Sequence, residues 1–393
     1  MAKAHQTALD RSPVRAAGIS ALIIAALLFL AGLAIQPAFA QEADAPDTNE
    51  NAPFTTQSSN SDSDFWRAIR NGADGEVANP YGESGVLIQP PGQPQNSEIF
   101  GVQVTAGQLW RNMRNNDVTK WGMYGLGGII VLLALFFAIR GRIKIDHGAS
   151  GVTIERFKLI ERIGHWLTAG SFILLGITGL NILYGKSVLM PVIGKDAFAL
   201  ITYGGKYIHH FSGFAFMAGL VLIFLMWVRH NLPSRTDIGW ALQGGGIFAK
   251  GVHPPAKKFN AGQKVIFWLT ILCGASLSLS GISLIWPYEF MMFNKTFVLL
   301  NSFGFQLPTD LSPIQEQQYA QLWHGILSLF MICVILAHIY IGSIGMEGAF
   351  DAMGSGQVDL NWAKEHHSLW VEEVQELQRT PPEARGGSKA PAE

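Results

Sequence analysis

Cysteine is nearly absent from this chain: two occur in 393 residues, Cys273 and Cys333, each inside an apolar run. That count excludes a disulfide framework, a CxxC zinc site, an iron–sulfur cluster and a CxxCH haem attachment. Charge is scarce as well, at 15 % Asp, Glu, Lys and Arg, against about 25 % in soluble domains. The net charge of -1 carries no message about nucleic acid, and no basic cluster has aromatic residues interleaved with it. Hydrophobic residues make up the balance, 49 % of the chain, gathered into blocks of about 19 to 25 residues. The composition is that of an integral membrane protein with polar flanks. Any metal must be held by histidine, carboxylate or a ligand from elsewhere.

Taken in order, residues 1–40 read as a signal peptide. Lys3, Arg11 and Arg15 precede an apolar run over 17–35, and Ala38-Phe39-Ala40 has the small-x-small form of a cleavage site. Residues 41–120 read as a periplasmic extension, partly disordered, in which acidic residues outnumber basic ones. The stretch 121–139 has no charge and is expected to be a first transmembrane helix, stopped by Arg140 and Arg142. Four more spans are expected at 163–185, 208–228, 265–288 and 322–346, forming a helical domain over 153–346. The tail, 347–393, contains an expected amphipathic helix over 362–379, in which His366 and His367 are expected to be solvated. Basic residues cluster in 140–162 and 229–264 and are few in the loops carrying Lys186, Lys195, Lys206 and Lys295. By the positive-inside rule the mature N-terminus is outside and the C-terminus cytoplasmic.

The intramembrane histidines follow from that topology. His324 and His338 lie fourteen positions apart on the last span with no charge between them. At about 100° and 1.5 Å per residue their side chains share a face and sit roughly 21 Å apart along the axis. One helix thus offers two imidazoles, one toward each side of a bilayer core about 30 Å thick. By depth, His209 or His210 pairs with His324, and His165 pairs with His338. Two histidine pairs at two depths suit two bis-histidine b-type haems, whose edges pass small residues such as Gly176, Gly179, Gly213, Gly281, Gly325 and Gly342. A proton relay is the competing reading, but such relays add an intramembrane Asp or Glu. The five apolar runs contain none.

Five motifs carry a family resemblance: Ile160-Glu161-Arg162-Ile163-Gly164-His165-Trp166, Lys206-Tyr207-Ile208-His209, Phe259-Asn260-Ala261-Gly262-Gln263-Lys264, Trp323-His324 and Ala337-His338-Ile339-Tyr340. In order and spacing, over about 153–372, they resemble the cytochrome b556 (gamma) subunit of respiratory formate dehydrogenases. The extension and the 121–139 span lie outside the four-helix unit of that family. The histidine pattern alone also suits the b-type cytochromes of nickel–iron hydrogenases and thiosulfate reductases.

The resemblance implies an all-α integral membrane protein: a four-helix dihaem cytochrome b bundle preceded by one extra transmembrane helix and a periplasmic N-terminal extension. It implies an inner-membrane subunit anchoring an iron–sulfur (beta) subunit and a molybdenum- or tungsten-pterin (alpha) subunit. His209 and His324 would then hold the periplasmic haem, and His165 and His338 the cytoplasmic one. Asn260, Gly262 and Gln263 match a loop where menaquinone or ubiquinone would be reduced. On physical grounds that loop supplies amide donors for quinone oxygens beside cytoplasmic protons. It also reads as an ordinary helix N-cap, and both can hold at once.

Overall fold

The computed structural model describes residues 97–99, 102–104 and 106–379. The expected signal peptide, most of the extension and residues 380–393 lie outside them. The described residues fall into two compact units divided at Trp121. The unit before it holds strands β1 (Ser97–Ile99) and β2 (Val102–Val104), paired antiparallel with Ser97 opposite Val104. The helical segments Ala106–Asn112 and Met113–Val118 follow.

The remainder is mostly helical: α1 (Thr119–Arg140), α2 (Leu159–Val188), α3 (Lys195–Trp227), α4 (Ala261–Ile285), α5 (Met292–Asn301), α6 (Pro313–Tyr340), α7 (Leu360–His366) and α8 (Ser368–Arg379). Among the described residues five helical stretches are long and apolar enough to cross a membrane: Leu109–Arg140, Leu159–Val188, Lys195–His230, Ala261–Ile285 and Pro313–Gly345. These are the five spans expected from hydropathy. The largest departure is α3, which begins at Lys195 rather than near 208. Gly194, at φ 82, ends the short helix Met190–Ile193 and lets the chain restart. Helix starts are chemically specified: Asn260 and Gln263 cap each other at α4, and Ser312 and Gln315 do so at α6, with Pro313 in the first turn.

Helix α2 packs on α3, α3 on α4, and α4 on α6. Where α2 and α3 meet, a Cβ on Gly219 would lie 2.9 Å from the backbone nitrogen of Thr168, so only glycine permits that approach. The interior is apolar as in a water-soluble protein, but the outer surface is apolar too, and small hydroxyl residues share the interior. Large apolar side chains such as Ile139, Leu200 and Phe211 face outward, while Thr168, Ser171, Thr178, Ser212, Ser280 and Ser283 are buried. Several of these hydroxyls donate to their own helix: Thr168 to Gly164 O at 2.9 Å and Ser171 to Leu167 O at 2.6 Å. With no water in the hydrocarbon, such internal bonding keeps buried polar atoms affordable. Helix α1 lies along α6: Gly122 faces Leu329, Gly125 faces Cys333, and Phe136 and Phe137 meet Tyr340 edge-on.

The tail is built differently from expectation. Strands β3 (Thr153–Glu155) and β4 (Gln357–Asp359) pair antiparallel, Ile154 opposite Val358. The single amphipathic helix expected over 362–379 is two helices, broken at His367. Neither histidine there is solvated as expected: the His367 side chain is fully buried, and His366 lies against His253 and Trp362. His367 Nδ1 donates to Lys257 O at 2.8 Å, so its Nε2 accepts from the Arg156 guanidinium at 2.9 Å. Arg156 in turn lies over the rings of Phe157, Trp362 and Trp370. Trp362, Trp370 and Val371 join Phe157, Trp227 and Phe259 in one apolar cluster that clasps the tail to the bundle.

Candidate functional site

Four histidines meet in two pairs. On α3 and α6, the rings of His209 and His324 face one another with centroids 6.2 Å apart and planes at 61°. On α2 and α6, His165 and His338 do the same at 6.3 Å and 58°. Helix α6 serves both pairs because fourteen residues return nearly to the same face. His210, the adjacent candidate, is not in the pair, since neighbouring helical positions point about 100° apart.

The surroundings of the first pair follow a repeated pattern. Thr178 Oγ1 lies 2.8 Å from His209 Nδ1 and donates its proton to Leu174 O at 2.7 Å. Ser280 Oγ lies 2.9 Å from His324 Nδ1 and bonds Leu277 O at 3.0 Å. A hydroxyl has one proton. With it given to a carbonyl, the oxygen accepts from Nδ1–H, leaving each Nε2 lone pair free for a metal. The residue after each hydroxyl is glycine. A Cβ on Gly179 or Gly281 would sit 3.5 Å from the facing Cε1 of His209 or His324. At the second pair, His165 Nδ1 is buried without a hydrogen-bond partner. Trp166 packs edge-on against the His165 ring, and its Nε1 donates to Met353 O at 2.9 Å. Arg162 reaches the carbonyls of Met353 and Gly354.

Each pair fits a b-type haem better than a bare metal. Bonds of about 2 Å from one iron to two imidazoles, as for other metal–histidine bonds, leave ring centres roughly 6 Å apart. Both pairs have that separation. A bare zinc or iron ion needs three or four protein ligands, and among the described residues no group of three His, Cys, Asp or Glu could hold one. Two ligands suffice only when a macrocycle supplies the rest. Room exists for one: Gly213 and Gly342, one turn beyond His209 and His338, would bear a Cβ with nothing within 4 Å.

The Asn260–Gln263 segment lies at the α4 end nearer the second pair by the alternation of consecutive spans. Asn260 Oδ1 accepts from Gln263 N at 2.9 Å, and Gln263 Oε1 from Asn260 N at 3.1 Å. The capping role is therefore real. It uses acceptor oxygens and leaves the two side-chain NH2 groups for another partner. Gly262 lies under Trp240, whose ring would be 3.1 Å from a Cβ there. Lys264 anchors the segment through Asp237 at 2.8 Å; burial raises that carboxyl's pKa, but the Lys264 and Ser234 hydrogen bonds outweigh it and hold it low.

Two carboxylates escaped the hydropathy reading because they lie just beyond the apolar runs. Glu316, fully buried in the first turn of α6, accepts from the backbone N–H groups of Phe293 and Asn294 and so caps α5. Glu161 pairs with Lys258 at 2.7 Å and accepts from Trp227 Nε1 at 2.9 Å. Both have structural partners, and neither is hydrogen-bonded to a paired histidine. Thr178 and Ser280 were also not singled out from sequence. Their signal was the hydroxyl–glycine dipeptide, Thr178-Gly179 and Ser280-Gly281, occurring on two helices.

Comparison with known proteins agrees with this chemistry. Residues 156–356 match the family described as prokaryotic cytochrome b561. The chain is 31 % identical over 223 residues to the cytochrome b556(fdo) subunit of formate dehydrogenase from Escherichia coli K12, covering 56 % of this chain and 93 % of that protein. It is 28 % identical over 228 residues to the nitrate-inducible cytochrome b556(Fdn) subunit of the same organism, covering 57 % and 93 %. To the formate dehydrogenase cytochrome b556 subunit of Haemophilus influenzae Rd it is 27 % identical over 223 residues, covering 56 % and 83 %. The matched segment takes in just over half of the chain and all four facing histidines, and on it the protein belongs to the prokaryotic cytochrome b561 family, a b-type cytochrome of the membrane.

Proposed function

We propose that this chain is the membrane-anchoring subunit of a formate dehydrogenase, carrying electrons from an iron–sulfur subunit through two b haems to quinone on the cytoplasmic side. The observation that carries the reading is the double pairing on α6, with imidazoles 6.2 and 6.3 Å apart at two depths. The names of the relatives support formate as the source of electrons. In this reading formate oxidation belongs to a molybdenum- or tungsten-pterin partner.

His209 and His324 hold one haem, and His165 and His338 the other. Bound between such pairs, haem supplies one-electron transfer without proton chemistry. The protein keeps each imidazole neutral and fixed, excludes water with the outward apolar shell, and spaces the two sites roughly 21 Å along α6. Near the second site, the side-chain amides of Asn260 and Gln263 donate to the quinone oxygens, and the backbone N–H of Gly262, in the first turn of α4, adds a further donor. Menaquinone and ubiquinone share that carbonyl chemistry. The mature N-terminus is periplasmic and the tail cytoplasmic, as the excess of Lys and Arg in 140–162 and 229–264 supports. Quinol protons are then taken from the cytoplasm while electrons move inward, which separates charge.

With its partner subunits present, formate should reduce the b-type absorption and quinone should reoxidise it. Reduction by hydrogen and not by formate would assign the chain to a hydrogenase instead. Asn260→Ala and Gln263→Ala should slow reoxidation by quinone while leaving reduction by formate intact. Unchanged reoxidation in both variants would remove the quinone assignment.

A further inference from the structure

We infer that Thr178 and Ser280 are positioning residues that set the His209–His324 haem at a lower reduction potential than its surroundings alone would give, poising electrons to move toward the His165–His338 site. The inference rests on the assignment of a haem to each pair. Its physical basis is an asymmetry between two otherwise similar pairs.

Both imidazoles of the first pair point Nδ1–H at a hydroxyl oxygen, at 2.8 and 2.9 Å, with the backbone of Leu175 and Leu277 also in hydrogen-bond reach of His209 and His324. Each of those hydroxyls is oriented by a carbonyl of its own helix. Drawing density away from the Nδ1 proton makes the Nε2 lone pair a stronger donor. A stronger axial donor favours the more positive iron and so lowers the potential. The second pair lacks this support at His165, whose Nδ1 is buried without a partner. A buried N–H with no acceptor leaves its ring a poorer donor. The two hydroxyls sit on different helices, α2 and α4, and glycine follows each, so the same device is built twice around one site.

The test is a redox titration of the b-type bands in the assembled complex, for wild type, Thr178→Val, Ser280→Ala and Thr178→Ser. Valine keeps the shape of threonine without its hydroxyl, and serine restores the hydroxyl. Two components should be resolved in the wild type. Thr178→Val and Ser280→Ala should each make reduction of the same lower component more favourable, by about tenfold, which is 59 mV for one electron. The other component should stay in place, and Thr178→Ser should match wild type. If Thr178→Val does not assemble, Ser280→Ala alone carries the same expectation from the other helix. Two components with neither moved, or both moved together, would overturn the inference. Absence of a second b component in the wild type would instead overturn the two-haem assignment beneath it.

Discussion

A histidine inside a bilayer is costly to leave idle, and four of them here meet in pairs. What makes the pairs legible at residue scale is spacing on one helix: His324 and His338 fall on a shared face by arithmetic. Their partners followed from topology, and the structure brings His209, rather than His210, opposite His324. The hydroxyls behind the first pair were not legible, because Thr178 and Ser280 are 31 and 44 residues from the histidines they touch. Gly281 offers a graded probe of the same site. A methyl there would rest 3.5 Å from His324 Cε1, an ordinary contact, whereas a longer side chain must displace the ring. Gly281→Ala should keep the full b-type absorption, and Gly281→Leu should lose the His209–His324 share of it. Full absorption in Gly281→Leu would show that the ring does not need this position.

At the scale of elements, hydropathy located all five spans, since a run of about twenty uncharged residues has few other uses. It misplaced the start of α3, where Lys195–Tyr207 is too mixed in polarity to look apolar yet stays helical. Helix packing depends on close approach that no periodicity reveals. Gly219 is the clearest case, because the atoms a Cβ would meet include the backbone of Thr168, which cannot swing away. Gly219→Ala should therefore destabilise the bundle by about 1–3 kcal/mol, the usual cost of overpacking. Thermal denaturation in detergent checks it, with haem loss as the signal. An unchanged midpoint would mean that α2 and α3 can separate at no cost. Gly122, whose neighbours Leu329 Cδ1 and Tyr184 Oη are the ends of flexible side chains, should tolerate alanine better.

At the scale of the whole molecule, the tail clasp was the least legible part. Its partners are remote: Arg156 meets His367 across 211 residues, and the His147 N–H reaches Glu365 across 218. A charged, histidine-bearing segment looks solvated until those partners are known. The clasp is sensitive to acid. Burial pushes His366 down to about 4, opposed by Glu365 and helped by His253 and Arg156. It pushes His367 well below its ordinary value, with Arg156 acting the same way. Arg156 is itself lowered to about 9, chiefly by burial with Glu161 opposing, and stays charged at neutral pH. A folded-state pKa below the unfolded value of about 6.5 favours the neutral form. The stabilisation is thus complete above pH 6.5 and is lost as pH falls toward 4. For His366 it is on the order of 3 kcal/mol. Amide protection over 357–371, taken relative to the intrinsic exchange rate at each pH, should fall as pH drops from 6.5 toward 4, with the transmembrane helices unaffected. A flat profile would contradict the neutral, buried assignment of both histidines.

In the proposed arrangement one helix, α6, holds two b haems with a different partner helix for each. Haem quantified per chain, by extraction and by the reduced-minus-oxidised spectrum, tests it most directly. Two haems are expected in the wild type, one in His324→Ala, one in His338→Ala with a different residual spectrum, and none when both are replaced. One haem in the wild type, or full haem content after either single replacement, would contradict it.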